Sequence, residues 1–219
     1  MKKQSIFVHI PKCAGCSLWE ALCKSEHCEH SEPRGPNSKL SLQSKFGSST
    51  LEYFGHGEGR MLKPFPCHDS YKNYFSFSFV RNPWDRLVST FFFLKSGGHH
   101  KNDMSAYSKY MKTHSESFKE FIIEKFNNEA INQVIHLKPQ HHWICQNDQV
   151  CVDFLGKTES LQNNVNELCS ALNIESIELR HLNQSTHKHY AEYYDNETRE
   201  IVAEKYARDI EYFGYKFGE

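Results

Sequence analysis

The first residues of the chain combine a lysine with a run of small side chains. The apolar run 6–10 stops at Pro11 and Lys12, and the small residues 13–17 (CAGCS) lead into an amphipathic segment. This order predicts a strand, a tight loop and the first turn of a helix. Small residues let the backbone approach a ligand closely, and a helix start offers unpaired N–H groups to an anion. With the charge of Lys12 beside them, these groups predict a site for a phosphate-like ligand.

A second stretch has the same organisation. Residues 74–80 (YFSFSFV) alternate with period two, as expected of a strand, and Arg81 follows them directly. Asn82 is a favourable N-cap and Pro83 a favourable first helical residue, so a helix starts at once and carries Ser89 farther along. A cation at the start of a helix opposes the helix dipole unless an anion is bound there. Arg81 therefore predicts a second anion site.

The elements that must position these residues alternate between strands and helices. The predicted strands cover 5–10, 74–80 and 150–155, and the predicted helices cover 17–24, 117–126 and 198–212. Apolar side chains at 161, 165, 168 and 172 mark one face of a further helix. We expect exposed loops over 25–47 and 96–114. The alternation predicts an α/β fold with a P-loop-like central parallel β-sheet flanked by helices on both faces.

In a parallel sheet, ligands bind at the carboxyl ends of the strands. Both basic turns follow strands, so the sequence predicts one ligand with two phosphate-like groups. The first stretch differs from the P-loop of nucleoside triphosphatases, which has Gly-Lys-Ser/Thr at the helix start, because here Lys12 precedes the small residues. It also lacks the Gly-x-Gly-x-x-Gly pattern of dinucleotide-binding folds.

Length and charge limit the possible partners. A chain of 219 residues is expected to form a single domain over 1–219, with a sizeable core. The formal net charge is −1, which argues against general binding to nucleic acid or to a membrane surface. No segment approaches the ~18–20 apolar residues needed to span a bilayer, and no signal peptide is visible. We therefore expect a soluble, cytoplasmic protein without a transmembrane segment.

The eight cysteines are irregularly spaced. We expect reduced thiols, with Cys151 and Cys169 buried as small hydrophobic side chains. Cys13 and Cys16 have the spacing of a redox pair or of half a zinc site, but no second ligand pair with suitable spacing is evident. No metal site is predicted.

Both stretches resemble motifs of the sulfotransferases that use 3′-phosphoadenosine 5′-phosphosulfate (PAPS). Residues 9–17 (HIPKCAGCS) resemble the family's 5′-phosphosulfate loop, which usually has threonine at the two cysteine positions. Residues 79–89 (FVRNPWDRLVS) resemble its 3′-phosphate motif. Similarity continues at 153–159, 183–185 and 206–215. The chain most closely resembles the carbohydrate sulfotransferases of the heparan and chondroitin type.

The resemblance implies PAPS as the donor, adenosine 3′,5′-bisphosphate as the product and no metal. It assigns donor binding to Lys12, Cys13, Ala14, Gly15, Cys16, Ser17, Arg81 and Ser89. Lys12 also has a catalytic role, because it stabilises the charge that develops on the leaving 5′-phosphate. Arg81 and Ser89 contact the 3′-phosphate. We expect Arg86 to brace its helix, and Trp19 or Trp84 to stack on adenine.

An acceptor hydroxyl needs a base, and histidine suits near-neutral pH. His56 lies in a Gly-His-Gly turn between the two motifs. Uronyl 2-O-sulfotransferases of the carbohydrate group carry a Gly-His at the matching place and use that histidine as base, so His56 is the catalytic candidate. His136 is a second candidate and alternatively binds the acceptor. Glu58 is the nearest acidic alternative.

The expected function is transfer of a sulfuryl group from PAPS to a hydroxyl of a carbohydrate or glycoconjugate acceptor. A P-loop-like nucleotide kinase is one alternative, although the chain lacks the Gly-Lys-Ser/Thr sequence. A non-catalytic nucleotide- or glycan-binding module of the same fold is another. Loss of turnover with retained donor binding in a His56→Ala variant would separate an enzyme from such a module.

Overall fold

The structure is a computed structural model. It describes residues 4–24, 28–31, 39–44, 47–54, 72–98, 117–126, 134–179 and 188–219. The chain divides into two compact units: unit 1 is Met1–Val80 with Gln140–Gln184, and unit 2 is Arg81–Pro139 with Ser185–Glu219. That the whole chain acts as one domain stays a prediction. No helix in the described ranges is long and apolar enough to cross a membrane.

Unit 1 is built on a mixed β-sheet. The described strands, in chain order, are β1 (Gln4–Val8), β2 (Cys28–Ser31), β3 (Lys39–Ser44), β4 (Gly47–Phe54), β5 (Phe75–Val80), β6 (Cys145–Gln146), β7 (Gln149–Val150) and β8 (Phe154–Lys157). The main sheet has the order β2-β3-β4-β1-β5-β8. Its neighbours β4, β1, β5 and β8 are parallel, whereas β2, β3 and β4 are paired antiparallel. The predicted α/β fold with a central parallel sheet is confirmed for these four strands.

The expectation of a loop over 25–47 is wrong. This segment contributes β2 and β3, and it contains the start of β4. An antiparallel strand at a sheet edge needs apolar residues on one face only, so a polar composition does not exclude it. The alternation of Leu40 and Leu42 with polar neighbours was the available signal.

The strand predicted over 150–155 is displaced along the chain. The strand of the main sheet is β8, at Phe154–Lys157. Gln149–Val150 instead pairs with β6 in a separate hairpin. Asn147 and Asp148 form the turn of this hairpin in the left-handed conformation, with φ of 49° and 60°. Such a two-residue turn is typical of tight hairpins.

The core of unit 1 surrounds the central strand β1. Ile6 and Val8 are fully buried, as expected of a parallel strand with neighbours on both sides. Phe7 stacks on Phe77 of β5, with ring centroids 5.1 Å apart. The predicted first helix is confirmed as α1 (Gly15–Lys24), which buries Leu18 and Trp19. The direction of β1 and α1 is therefore fixed by apolar packing on either side of the loop that joins them.

The other α-helices among the described residues are α2 (Pro83–Lys95), α3 (Phe118–Glu120), α4 (His141–Ile144), α5 (Leu161–Leu172), α6 (Asn196–Lys205) and α7 (Ala207–Phe213). The predicted apolar face of α5 is confirmed at Val165, Leu168 and Leu172, which are buried. Cys169 is buried as expected, and burial raises the pKa of its thiol. Cys151 is exposed, so its predicted burial is wrong, because the residue follows the short hairpin and lies outside the core.

Unit 2 is helical. The predicted capping box opens α3, where the Ser117 side chain accepts from the Glu120 N–H, and the helix continues as a π-helical segment over Phe121–Phe126. The single helix predicted over 198–212 is divided into α6 and α7. Tyr206 interrupts it with φ −108° and ψ 23°, and its hydroxyl donates to the Leu137 carbonyl at 2.8 Å.

Candidate functional site

The loop between β1 and α1 has an unusual backbone. Lys12 and Ala14 have φ of 65° and 56°, in the left-handed region that residues with a Cβ seldom adopt. The Ala14 carbonyl accepts the first helical hydrogen bond, from the Leu18 N–H at 3.0 Å. The amides of Gly15, Cys16 and Ser17 therefore belong to the first helical turn, where N–H groups have no intrahelical acceptor. A loop of this kind provides N–H donors for an anion.

The lysine and the residues around it reach the surface. Lys12, Ala14, Cys16 and Ser17 are partly exposed, whereas Cys13 and Gly15 are buried. The charge of Lys12 and the positive end of the α1 dipole thus lie at the same loop. The role of this loop as an anion site stays a prediction.

Cys13 points into unit 1. Its side chain is 1% exposed, and its Sγ donates to Gln140 Oε1 at 3.2 Å and lies 3.6 Å from the Pro11 carbonyl. The Cys13 side chain faces the interior of unit 1, so any contact of Cys13 with PAPS is expected from its main-chain amide. Cys13 and Cys16 both carry reduced thiols.

Gly15 is required by its contact with His9. A Cβ built on Gly15 would lie 1.9 Å from Cδ2 and 2.2 Å from Nε2 of the His9 ring, so no other residue fits without a shift. His9 is 5% exposed, and its ring stacks on Phe7 with centroids 5.6 Å apart. The glycine predicted to allow close backbone approach to a ligand is therefore also approached closely by a side chain of the protein.

The second motif begins as predicted. Asn82 caps α2, accepting from the Trp84 N–H at 3.1 Å, and Pro83 is the first helical residue. The Asn82 amide also donates to the Lys216 carbonyl at 2.9 Å and to the Tyr190 hydroxyl at 3.3 Å. Asn82 is 1% exposed, and these bonds attach the start of α2 to Tyr190 and Lys216.

Arg81 is oriented by a carboxylate that the sequence reasoning missed. Its Nε donates to Asp85 Oδ2 at 2.7 Å, and the two side chains are 19% and 22% exposed. Arginine four residues before aspartate is a recognisable ion-pair spacing, which was the available signal. Ser89 follows Asp85 by the same interval, so Asp85 and Ser89 lie on one face of α2. Ser89 is 8% exposed.

Arg86 braces unit 2, as expected. It is 1% exposed, and its two terminal nitrogens donate to the carbonyls of His136 at 3.2 Å and Lys138 at 2.8 Å. Its guanidinium lies 5.1 Å from the centre of the Tyr206 ring. Burial raises the pKa of Tyr206 although the charge of Arg86 lowers it, so the ring stays neutral over the physiological pH range. A guanidinium used in this way holds the 136–138 segment against α2.

The two tryptophans proposed to stack on adenine are both buried. Trp19 is 1% exposed and Trp84 is 4% exposed. The Trp84 indole donates to the Arg199 carbonyl at 3.1 Å, and its ring meets Phe217 edge-on. Neither ring presents an open face, because each fills part of a core. The expectation that one of them stacks on adenine is therefore not supported by their positions.

The candidate bases differ in their surroundings. His56 and Glu58 lie outside the described residues. His136 is 8% exposed, its ring packs 5.0 Å from the Phe93 ring, and its carbonyl serves as an acceptor for Arg86. Among the described residues, no three His, Cys, Asp or Glu side chains are grouped so that they could hold a metal ion.

The sequence reasoning also missed Gln140 and His9 as parts of the first loop's surroundings. Gln140 follows His136 by four residues, and no local pattern connects it with Cys13. The strands that precede the two motifs are neighbours in unit 1: β1 and β5 run parallel, with Val8 opposite Ser78. Both strands therefore end at the same edge of the sheet.

Comparison with known proteins supplies the functional frame. A sequence model described as the sulfotransferase family matches residues 2–216. An uncharacterized protein of Archaeoglobus fulgidus is 26% identical over 111 residues, which cover 50% of this chain and 78% of that protein.

Proposed function

This chain belongs to the sulfotransferase family, and we propose that it transfers a sulfuryl group from PAPS to a hydroxyl of a carbohydrate or glycoconjugate. The observation that carries the proposal is the loop after β1. There, Lys12 and Ala14 are left-handed, and the charge of Lys12 lies beside the first turn of α1 in a partly exposed loop. This loop fits the 5′-phosphosulfate end of the donor, because its N–H groups and its charge are those that a phosphate needs.

When bound, PAPS supplies the sulfuryl group. A bond forms between its sulfur and the acceptor oxygen, and the bond between that sulfur and the 5′-phosphate oxygen breaks. Lys12 and the amides of Gly15, Cys16 and Ser17 stabilise the negative charge on the departing phosphate. These donors are fixed before the reaction, so little reorganisation is needed when the charge develops. Lys12 is therefore both a donor-binding and a catalytic residue.

Arg81 and Ser89 bind the 3′-phosphate in this proposal. The Arg81 side chain is 19% exposed, and a guanidinium can make two parallel N–H bonds to a phosphate. The Asp85 bond restricts the rotation of the guanidinium and reduces the entropy lost on binding. Recognition of the 3′-phosphate separates PAPS from ATP and from adenosine 5′-phosphosulfate.

His56 takes the proton from the acceptor hydroxyl. The buried position of His136 against Phe93 favours His56 over it, because a base must reach the acceptor within hydrogen-bond distance. The choice of a carbohydrate acceptor rests on the resemblance of residues 9–17 and 79–89 to carbohydrate sulfotransferases. Glu58 is then the candidate for an acceptor contact, and the burial of His136 disfavours that role for its ring.

The test combines binding with turnover. We expect adenosine 3′,5′-bisphosphate to raise the melting temperature and ATP to leave it unchanged, since a ligand stabilises the state that binds it. Radiolabelled PAPS should transfer label to one or more members of a panel of glycans, and His56→Ala should abolish transfer while keeping bisphosphate affinity. A shift with ATP but none with the bisphosphate would overturn the proposal. Bisphosphate binding without transfer to any glycan would point instead to another acceptor or to a binding module.

A further inference from the structure

The loop between β1 and α1, residues 9–14, is the donor loop of the proposed function. It is held from within unit 1 by a residue far along the chain. Gln140 has no exposed surface, and its Oε1 accepts a hydrogen bond from Cys13 Sγ at 3.2 Å. Both side chains are buried, so water does not compete for this bond. A buried polar group is costly unless it is paired, and this bond pairs the Gln140 amide oxygen with the loop that carries the donor-binding groups.

The backbone of the loop needs such support. Lys12 and Ala14, the residues on either side of Cys13, both have positive φ. A left-handed conformation costs about 1–2 kcal/mol for a residue with a Cβ, and it persists only where the surroundings over-determine it. Within the loop, the Cys13 N–H reaches the Ile10 carbonyl over 3.4 Å, which is a long hydrogen bond. The side-chain bond to Gln140 is shorter and ties the same residue to another part of the sheet unit.

Gln140 is itself fixed at the start of a helix. Its carbonyl accepts the Trp143 N–H at 3.0 Å, and Pro139 restricts the backbone before it. Trp143 and Ile144 of the same short helix, α4, are buried. The amide of Gln140 is therefore presented to Cys13 from an anchored backbone.

We propose that Gln140 is a positioning residue for the donor loop. Through Cys13 it keeps Lys12 and Ala14 in the left-handed conformation and thereby aims the loop amides at the 5′-phosphosulfate group. Gln140 acts through another residue and does not contact the donor. This inference rests on the proposed function for its ligand, but its structural half can be tested in the ligand-free protein.

The experiment is a double-mutant cycle. Gln140→Met keeps the volume and removes the acceptor, and Cys13→Ala removes the donor. A buried hydrogen bond contributes enough for each single variant to weaken adenosine 3′,5′-bisphosphate binding by about 3- to 10-fold. The double variant should bind no more weakly than either single variant, because both remove the same bond. Cys13→Ser keeps a donor and should bind the bisphosphate more tightly than Cys13→Ala does.

Hydrogen exchange at amides 12–17 provides a readout without ligand. Gln140→Met and Cys13→Ala should accelerate this exchange, because the loop then leaves its left-handed conformation more often. Ser76→Ala is the matched control: Ser76 is 4% exposed, and its Oγ donates to Asp153 Oδ2 at 2.8 Å near the start of β5. This control should lower the melting temperature and leave both loop exchange and bisphosphate affinity unchanged.

The outcomes distinguish the positioning role of Gln140 from the identity of the proposed donor. If Gln140→Met lowers the melting temperature but leaves loop exchange unchanged, as in Ser76→Ala, the positioning role is overturned. Additive effects of the two single variants would overturn it too. If loop exchange responds as expected but wild-type protein binds no bisphosphate, the role of Gln140 in the loop stands and the proposed donor is wrong.

Discussion

Asp85 binds the guanidinium of Arg81 through Nε, at 2.7 Å, across the first turn of α2. The pair is partly exposed, so its contribution to stability is small, at most about 1 kcal/mol. The ion pair orients the guanidinium, because an arginine bound through Nε turns the opposite edge of the guanidinium toward a second partner. Asp85 thus acts on the predicted 3′-phosphate site through Arg81.

Replacing Arg81 by lysine should remove most of the 3′-phosphate recognition. An ammonium group keeps the charge but has no Nε to bind Asp85 and no fork for a phosphate. We expect adenosine 3′,5′-bisphosphate to bind about 10- to 100-fold more weakly, as for the loss of a charge-assisted hydrogen bond. AMP, which has no 3′-phosphate, should bind as before. Arg208→Lys, at an exposed position of α7, is the control, and calorimetric titration is the measurement. Equal losses for both nucleotides would contradict the assignment.

Gly15→Ala should destabilise the protein by about 1–3 kcal/mol, the usual cost of overpacking. The added methyl would lie 1.9 Å from the His9 ring. Combining Gly15→Ala with His9→Ala should recover part of the stability, because the second change makes room for the first. Urea unfolding of the two single variants and the double variant measures this.

Gly214→Ala provides the comparison for the glycine prediction. Gly214 has φ of 63°, and a Cβ there would meet no atom within 4 Å. Its replacement should cost about 1 kcal/mol through backbone conformation alone. The loss should be independent of His9, so a recovery of Gly214→Ala by His9→Ala would show that the compensation is not local.

Arg86→Lys should lower stability by about 2–3 kcal/mol, because one ammonium group cannot replace a buried guanidinium bonded to two carbonyls. Nucleotide selectivity should not change: the ratio of bisphosphate to AMP affinity should equal that of the wild type. This distinguishes a bracing arginine from Arg81, which is predicted to bind the 3′-phosphate. A selective loss of bisphosphate binding in a folded Arg86→Lys protein would place Arg86 in the donor site.

The N-cap of α6 should make stability depend on acid pH. Asp195 accepts from the Thr198 N–H at 2.9 Å and pairs with Lys119 at 2.6 Å, and these bonds hold the pKa of its carboxyl well below the usual range. A carboxyl whose pKa is lower when folded than when unfolded adds stability above the unfolded pKa. That stability is lost as the pH falls toward the folded pKa.

Asp195→Ala should therefore be less stable than the wild type at pH 7, and the difference should shrink below about pH 4, where an unfolded aspartate becomes protonated. Lys119→Met removes the ion pair but leaves the cap, so its deficit should be smaller and should fall with added salt. Thermal unfolding across pH 2–7 measures both differences. A deficit of Asp195→Ala that stays constant down to pH 2 would contradict this account.

The elements with local signals were predicted from the sequence. The period-two run before Arg81 gave β5, and Asn82 with Pro83 gave the start of α2. The strand-loop-helix order around Lys12 was also found, because an apolar strand and a helix start are visible in adjacent residues.

What was missed depends on distant partners. β2 pairs with β3 and β3 pairs with β4, so both depend on neighbouring strands for their hydrogen bonds and their own composition is a weak signal. The break at Tyr206 follows from tertiary contacts of its hydroxyl and ring, which helical periodicity does not report. The inward orientation of Cys13 is set by Gln140, which no spacing rule connects with it.

The bond between Cys13 and Gln140 also has a consequence for the order of synthesis. The two residues are 127 positions apart, so the loop between β1 and α1 leaves the ribosome long before Gln140 is synthesised. A nascent chain that ends before residue 140 can pair β1 with β5, but its first loop lacks the contact from Gln140. Maturation of the loop is therefore a late event in translation, and ribosome-bound chains of increasing length should gain protection at residues 12–17 only after residue 140 has emerged.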